Sequence, residues 1–403
     1  MRTHFGWLAA VLVVACGGSE FSSNGSATGG SAGSGASSSG GSSASGGASG
    51  SSGAGAVSGS AGQAGSAGAG GTVSYPETVC DVPTHQSAAV QAPSCSPTTL
   101  GCVADFSGVF GEPGEADGSA SNARFVGLYG LIGEGDYLYA STAHAIRRVH
   151  IETGAVTTLA GNGEAGHFDG SAAESRFACP RGLAILGGEL YVADAGNGRV
   201  RRVNLNTGAV TTVASNLQDP AHLAAREGNV IVTELGANRI SQINLSSSLV
   251  THWGAGTPPY SQPHGLAWTN VFNLFYLADA GNHVLRKADA NGSGAAQVGQ
   301  IGAAGHVNAQ GTQARLSSPR GTSVKQPDLI FVADHGNHAI RRAVAGSYQV
   351  SPVAGGSTST HAVGVGTSAG IVSPTDVHFQ AHSGREWLFI AEGTVIRRME
   401  LAP

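Results

Sequence analysis

The chain has 403 residues and a formal net charge of -5, with 12% charged and 6% aromatic residues. A nucleic-acid-binding protein needs a basic face that displaces counterions from phosphates, so this mild acidity argues against a nucleic-acid partner. The sequence also lacks the run of about 18 apolar residues that a transmembrane helix requires.

Residues 1–15 are typical of a secretory signal peptide. Arg2 supplies a positive charge, and residues 5–15 form an apolar stretch that is too short to span a bilayer. The stretch ends in Val-Val-Ala-Cys, which resembles the lipobox of bacterial lipoproteins and predicts lipidation of Cys16. Because the next residue is Gly17 and not Asp, the resemblance implies sorting to the outer membrane. The alternative is an ordinary signal peptide that happens to end beside a cysteine.

Residues 16–74 are predicted to be a lipidated cysteine followed by a disordered tether. Nearly every residue after Cys16 in this segment is Gly, Ser or Ala, and no charged residue lies between Phe21 and Pro76. Such a segment cannot bury enough apolar surface to offset the entropy of ordering. As a random coil it would reach roughly 40–45 Å, which would hold a folded domain clear of the membrane surface.

Residues 75–102 are predicted to be a cysteine-containing lead-in to a folded domain at 103–403. Four cysteines follow the tether, an even number that suits disulfide formation in an oxidising compartment. Up to two disulfides are therefore expected among Cys80, Cys95, Cys102 and Cys179, with three connectivities open and free thiols as the alternative. No Cys-x-x-Cys pair is present, so the spacing does not favour a zinc site.

The folded part is a repeat. The clearest copy is residues 191–203, Tyr-Val-Ala-Asp-Ala-Gly-Asn-Gly-Arg-Val-Arg-Arg-Val, and it recurs at 276–288 and 331–343. Three weaker copies begin near residues 139, 232 and 389. Several copies follow a proline and a short apolar strand, as in Pro-x-Gly-Leu-Ala at 180–184 and 263–267. A Gly turn and another strand come after the copy, as in Gly-Ala-Val-Thr-Thr at 154–158 and 208–212, so each unit is predicted to have four short strands, a to d. Six four-stranded units predict a β-propeller.

The ordered motifs resemble those of NHL-repeat proteins over about residues 103–401. The resemblance implies an all-β fold, a six-bladed β-propeller of NHL-type repeats. The last copy ends at Leu401 after its third strand, so blade 6 needs an outer strand. Residues 103–110 can supply it, and we expect this N-terminal strand to pair with the C-terminal blade and close the ring.

Residues that recur in every blade are expected to be structural, whereas positions at which the blades differ are candidates for function. The Asp and Asn of each copy can satisfy backbone donors in turns. The residue after the strand-a proline varies and is predicted to face the mouth of the central channel, where two Arg and a His would attract an anion. The candidate binding face comprises Arg181, His222, His264, Arg320 and Thr375.

Histidines are frequent in the loops predicted on the same face, and neutral imidazoles suit transition metals. The candidate metal ligands are His222, His264, His335 and His338. Pro263–His264 resembles one ligand position of the peptide amidating lyase, an NHL-like propeller that binds zinc. Arg181 and Arg320 stand where further histidine ligands would be, so this zinc set is incomplete.

No complete catalytic constellation is visible, which favours a binding role over an enzyme. We expect a monomeric, exported lipoprotein that displays its propeller as a scaffold for a protein, peptide or glycan ligand. The alternative is a metal-dependent hydrolase or lyase at the channel mouth, which would need a divalent transition metal as its cofactor. Fold alone is no warrant for either activity.

Overall fold

The computed structural model describes residue 80 and residues 95–253, 258–269, 273–289, 294–356 and 359–402. The predicted signal peptide, the predicted tether and most of the predicted lead-in lie outside these residues. Within them, strands and five single-turn 3-10 helices are the only regular elements. No helix in this part of the chain is long and apolar enough to cross a membrane.

Six antiparallel sheets, the blades, follow one another along the chain, with strands a to d running from the channel outwards. Blade 1 consists of Leu131–Glu134, Tyr137–Ser141, Ile146–His150 and Val156–Ala160. Blade 2 consists of Pro180–Leu186, Glu189–Asp194, Arg199–Asn204 and Val210–Ala214. Blade 3 consists of Pro220–Arg226, Asn229–Glu234, Arg239–Asn244 and Val250–His252.

The second half of the ring continues the same order. Blade 4 consists of Pro263–Thr269, Leu274–Asp279, Val284–Ala288 and Gly294–Val298, and blade 5 of Pro319–Lys325, Leu329–Asp334, Ala339–Val344 and Val350–Gly355. Blade 6 takes Asp376–His382, Arg385–Glu392 and Val395–Glu400 from the C-terminal end. The 3-10 helices are Ala195–Asn197, Ala280–Asn282, Gly311–Gln313, His335–Asn337 and Gly366–Ser368.

The inner strands form a closed ring, which confirms the six-bladed propeller. Each strand a contacts strand a of the next blade, and strand a of blade 6 contacts strand a of blade 1. The apolar core lies between neighbouring blades, as where Tyr139 and Ile146 of blade 1 pack with Leu190 and Val192 of blade 2. Each such fully buried side chain contributes about 1.5–3 kcal/mol relative to an exposed one.

Ring closure by the N-terminal strand is also confirmed. The strand Cys102–Gly108 pairs antiparallel with Val395–Glu400, with Val103 opposite Met399 and Gly108 opposite Val395. A short further strand, Gly364–Val365, pairs with its outer edge. Blade 6 therefore has five strands where the repeat alone predicts four, because the chain before strand a returns to cover the added strand.

His361 fastens the closing strand to the last blade. Its Nε2 lies 3.0 Å from Asp105 Oδ1 on the closing strand, and its Nδ1 lies 2.8 Å from Glu392 Oε1 on strand b. The ring stacks on Phe110 with the centroids 3.9 Å apart. Burial lowers the pKa of His361, but the hydrogen bonds to Asp105 and Glu392 outweigh it and hold that pKa above its usual value.

Two disulfides join the lead-in to the propeller. Cys80 is bonded to Cys179, which precedes strand a of blade 2, and Cys95 is bonded to Cys102 at the start of the closing strand. The first bond spans 99 residues of sequence and the second spans 7. By the chain-entropy model, the longer loop restricts the unfolded chain more and so contributes the larger stabilisation.

A buried Asp–Arg latch holds the b–c turn of a blade to the loop that enters it. In blade 2, Asp194 accepts hydrogen bonds from the Ala178 backbone N–H at 2.8 Å and from Arg201 Nη1 at 2.7 Å. Arg201 also donates to the carbonyls of Phe168 and Arg176. Burial raises the pKa of Asp194 to about 6, although Arg201 opposes this shift.

The same latch recurs around the ring, as the repeat analysis expects of structural residues. Asp279 pairs with Arg286 in blade 4, and Asp334 pairs with Arg341 in blade 5. The first arginine of each strand-c pair is fully buried. The second is exposed in blades 2 and 5, at Arg202 and Arg342, and half-buried in blades 1 and 6, at Arg148 and Arg398.

Candidate functional site

The candidate site is the mouth of the central channel, at the end where the a strands begin. Arg181, His264 and Arg320 each follow the first proline of strand a, in blades 2, 4 and 5. His335 joins them from the b–c turn of blade 5. Blades 2 and 5 are opposite in a six-membered ring, so the two arginines enter the mouth from opposite sides. We call these four residues the mouth cluster.

The mouth cluster combines two permanent positive charges with two neutral imidazoles. Burial in the channel wall, followed by the charges of Arg320 and Arg181, lowers the pKa of His264 well below its usual value. Burial and then Arg320 lower the pKa of His335 to about 4. At physiological pH each imidazole therefore has one N–H donor and one lone pair, and His335 uses its donor on the carbonyl of Pro374, whereas the guanidinium groups only donate.

Backbone and carboxylate contacts hold the mouth cluster in place. Arg181 Nη1 lies 2.9 Å from Asp219 Oδ1, which precedes the strand-a proline of blade 3. His335 Nδ1 lies 3.1 Å from the carbonyl oxygen of Pro374, which precedes blade 6. These contacts reach from one blade to the next, so the side chains are oriented by the ring itself.

The floor of the mouth is formed two residues beyond each strand-a proline. Blades 2, 4 and 5 have Gly182, Gly265 and Gly321 there, because a Cβ atom would collide with the neighbouring inner strand. Blades 3 and 6 instead have His222 and Asp376, on opposite sides of the ring. Their side chains meet across the channel, with His222 Nε2 3.7 Å from Asp376 Oδ2.

The two floor residues differ in how fully their polar atoms are paired. Asp376 accepts the backbone N–H of Leu131 and that of Val377, both at 2.8 Å. His222 Nδ1 lies 3.1 Å from the carbonyl oxygen of Leu223. Its Nε2 is buried and has no hydrogen-bond partner within the described chain. This nitrogen is the atom that faces Asp376 Oδ2.

Beyond the floor lies a separate lower cavity of about 230 Å³. Most of its lining is apolar and comes from later residues of the a strands, such as Leu183, Ile185 and Leu266. His222 lines this cavity and also faces Asp376, so the two floor residues lie between the mouth cluster and the lower cavity. Their contact closes the inner end of the mouth, which we call the cup.

Thr375 occupies the equivalent position to Arg181 and Arg320 but does not offer its hydroxyl to the mouth. Its side chain is buried, and Oγ1 donates to the carbonyl of Leu128 at 2.7 Å. In blade 1 the equivalent residue is Tyr129, which packs against the cluster around the Cys80–Cys179 disulfide. Thr375 and Tyr129 therefore join neighbouring blades, and the polar groups of the mouth come from the other blades.

His338 also has a contact that joins blades. Its Nδ1 lies 3.0 Å from the backbone nitrogen of Ser373, just before blade 6. His283 accepts the N–H of Ser318 in the same way, and Asn238 accepts that of Gln262. In blades 3, 4 and 5 the side chain four positions after the last residue of strand b thus fastens its blade to the next one.

The described residues do not assemble a metal-ligand set around the candidate histidines. No group of three or more His, Cys, Asp or Glu side chains in the described ranges is arranged to hold a metal ion. The Nδ1 atoms of His335 and His338 are both engaged by backbone groups. Zinc sites in proteins take three or four protein ligands, which these histidines do not supply together.

Two site residues were missed by the sequence reasoning, Asp219 and Asp376. A signal for Asp376 is present in the sequence: the Gly of Pro-x-Gly is replaced in blades 3 and 6 alone. Because blades 3 and 6 face each other, two exceptions to the same rule could have been read as a pair across the channel. Asp219 lies in a loop of variable composition, and no comparable signal marks it.

The family model described as NHL repeat matches residues 177–203, which include strands a and b of blade 2 and most of strand c. The chain is a six-bladed β-propeller with an NHL repeat. It is 28% identical over 172 residues to NHL repeat-containing protein 2 of Gallus gallus, a match that covers 41% of this chain. That stretch is 20% of the relative, so the chain spans about a fifth of the length of the chicken protein.

Solved structures share the fold at low sequence identity. An auxiliary nutrient binding protein from Bacteroides thetaiotaomicron has a TM-score of 0.61 at 17% identity, covering 75% of this chain and 76% of that one. An auxiliary nutrient binding protein from Bacteroides ovatus has a TM-score of 0.59 at 17% identity, covering 75% of this chain and 77% of that one. At these identities the likeness is one of fold.

Proposed function

We propose that this chain is an exported, monomeric lipoprotein of the cell envelope whose propeller binds a carboxylate-bearing ligand at the channel mouth. The ligand is a glycan, a peptide or a segment of a protein, and the role is capture and not catalysis. The observation that carries the proposal is that Arg181 and Arg320 follow the first proline of strand a in opposite blades and that both act electrostatically on His264. A planar guanidinium fork matches a carboxylate in geometry as well as in charge.

The mouth is suited to a defined ligand group more than to a diffuse polyanion. The Arg181 charge is balanced by Asp219 at 2.9 Å, and Asp376 adds a second carboxylate in the floor, beside His222. Long-range attraction is therefore weak, and affinity must come from donors aimed at the bound group. This suits selective capture of a small acidic group in a partly desolvated cup.

The envelope location rests on the sequence and is supported by the kind of protein that shares the fold. The apolar stretch that ends at Cys16, and the Gly/Ser/Ala segment after it, are what a lipid-anchored and tethered domain requires. Two propellers of similar fold are auxiliary nutrient binding proteins of Bacteroides species. A tethered binding domain at the outer membrane accords with both observations.

Binding of acidic oligomers to the full lipidated chain in detergent tests the proposal. The panel contains oligogalacturonate, oligoglutamate and a heparin oligosaccharide, with neutral dextran as the reference. We expect at least one acidic oligomer to bind, and Arg181→Ala/Arg320→Ala to weaken it by about 100-fold. Arg202→Ala/Arg342→Ala is the matched control, since it removes the exposed arginines from the same two blades.

Two results would overturn this function. Binding that both double variants weaken equally would indicate general charge attraction and not a site at the mouth. Stoichiometric zinc or another transition metal in the wild-type chain, lost on His264→Ala, would instead support the metal-dependent hydrolase or lyase.

A further inference from the structure

Resting on the proposed function, we infer that the mouth recognises the end of an acidic glycan, namely a terminal uronic acid whose carboxylate and ring hydroxyls enter the cup together. Two features carry the inference: the shape of the cup and the mixture of hydrogen-bonding groups around it.

The shape of the cup favours a chain end over a chain interior. His222 and Asp376 meet across the channel, so a ligand that enters the mouth cannot continue into the lower cavity. The replacement of Gly by His222 and Asp376 occurs on opposite inner strands and nowhere else at that position. An internal unit of a glycan has a chain leaving on both sides, and a blind cup between six inner strands has only one opening.

The polar groups of the cup match a ligand that accepts hydrogen bonds at one end and both donates and accepts hydrogen bonds at the neighbouring atoms. Arg181 and Arg320 only donate, which suits a carboxylate. The neutral His264 has one donor and one acceptor on its ring. The Asp219 carboxylate adjoining Arg181 only accepts. Hydroxyl groups next to a carboxylate satisfy this set.

A uronic acid fits that set better than the C-terminus of a peptide does. Its ring carries hydroxyls on the atoms near the carboxylate, and each hydroxyl can donate to Asp219 or His264 and also accept. A peptide end carries a single backbone N–H beside its carboxylate. Phosphate monoesters carry more charge than a carboxylate, and more than the balanced mouth would compensate.

Titration calorimetry on the full lipidated chain in detergent compares four probes: trigalacturonate, the neutral galactose trisaccharide, adipate and trialanine. We expect trigalacturonate to bind at least about tenfold more tightly than each of the other three, because only it has both the carboxylate and the hydroxyls. Galacturonate dodecamer should bind with the same affinity per mole of chain as the trimer, within about twofold. An affinity that rises with the number of internal units would overturn end recognition.

Single variants distinguish recognition of the carboxylate from recognition of the hydroxyl groups. Arg181→Ala should weaken trigalacturonate and adipate alike, whereas His264→Ala should weaken trigalacturonate by about tenfold and leave adipate unchanged. A structural defect would lower both affinities in the His264 variant. Arg202→Ala serves as the control for loss of an arginine from blade 2.

The outcomes also separate this inference from the proposed function. If adipate or trialanine binds as tightly as trigalacturonate and needs Arg181, the mouth is a carboxylate site without sugar selectivity, and the inference is wrong while the function stands. If no acidic oligomer binds through the arginines, both are wrong.

Discussion

The Asp–Arg latches and the channel mouth are built from the same repeat, but they differ in how their polar atoms are used. In the latch of blade 2, Arg201 donates to Asp194 and to the carbonyls of Phe168 and Arg176, all within the protein. In the mouth, His222 Nε2 has no partner within the described chain, and Arg181 has a single carboxylate beside it. The latch of blade 2 therefore uses its polar atoms within the protein, whereas the floor of the mouth keeps one buried imidazole nitrogen without a partner among the described residues.

This difference tracks the sequence. Latch residues return in nearly every blade because every blade must fasten its b–c turn to the entering loop. Mouth residues change from blade to blade, as the proposed ligand would require, because an asymmetric ligand in the centre of a ring needs different groups on different sides. In a repeat protein, therefore, the repeated polar residue is the structural one, and the exception is the candidate for function.

The largest effect should come from opening the ring. A chain that begins at residue 111 lacks the strand Cys102–Gly108, which leaves Val395–Glu400 as an exposed edge. Its Tm should fall by more than about 10 °C relative to a chain that begins at residue 95. Both chains carry Cys179→Ser, so that loss of the Cys80 disulfide is the same in each. Equal melting temperatures would show that the strand does not lock the ring.

The next largest effect should come from a latch. Arg201→Ala leaves the fully buried Asp194 without its cation, and breaking a buried pair in this way costs about 3–5 kcal/mol. Urea unfolding should therefore show a much lower free energy of unfolding than wild type. Arg202→Ala, at the exposed neighbour, should change it by less than about 0.5 kcal/mol. Similar losses in the two variants would remove the distinction between the two arginines.

A smaller effect should depend on pH through His361. Its pKa is raised, so its contribution to stability is fully present below the usual value of 6.5 and is lost as pH rises through the raised value. The pKa of Asp105 is lowered by His361 and Arg397 despite burial, so its contribution is present above 3.8 and lost only in stronger acid. Glu392 and Phe110 are the other groups against the imidazole.

Unfolding free energies of wild type and His361→Gln measure this contribution. The difference between them should be largest near pH 5 and shrink by on the order of 1–3 kcal/mol towards pH 9, when the charge-assisted hydrogen bonds are lost. A difference that stays constant over this range would mean that the His361 charge does not hold the closing strand.

Most of the fold was predictable because each blade of a propeller repeats the same sequence motifs. The Tyr-Val-Ala-Asp phrase, the Pro before strand a and the early end of the last copy together predict six blades and a borrowed strand. The strand Gly364–Val365 was not predictable. It has no counterpart in the other blades and forms only because the closing strand offers it an edge.

The site was predictable in part. Variation after the strand-a proline indicated Arg181, His264 and Arg320, and the structure places all three at one mouth. The same rule failed to show that Thr375 is buried, because its hydroxyl bonds to a carbonyl of the next blade. A contact between two blades depends on how the blades pack around the ring. The spacing of motifs within one repeat does not show such a contact.

The most direct test of the account compares the mouth and the latch within the same two blades. One protein carries Arg181→Ala/Arg320→Ala and the other Arg201→Ala/Arg341→Ala, and both are measured for urea unfolding and for binding of trigalacturonate. The mouth variant should keep its free energy of unfolding within about 1 kcal/mol of wild type and lose binding by about 100-fold, while the latch variant is strongly destabilised. A mouth variant that binds normally, or that unfolds as readily as the latch variant, would contradict the division between structural latches and a functional mouth.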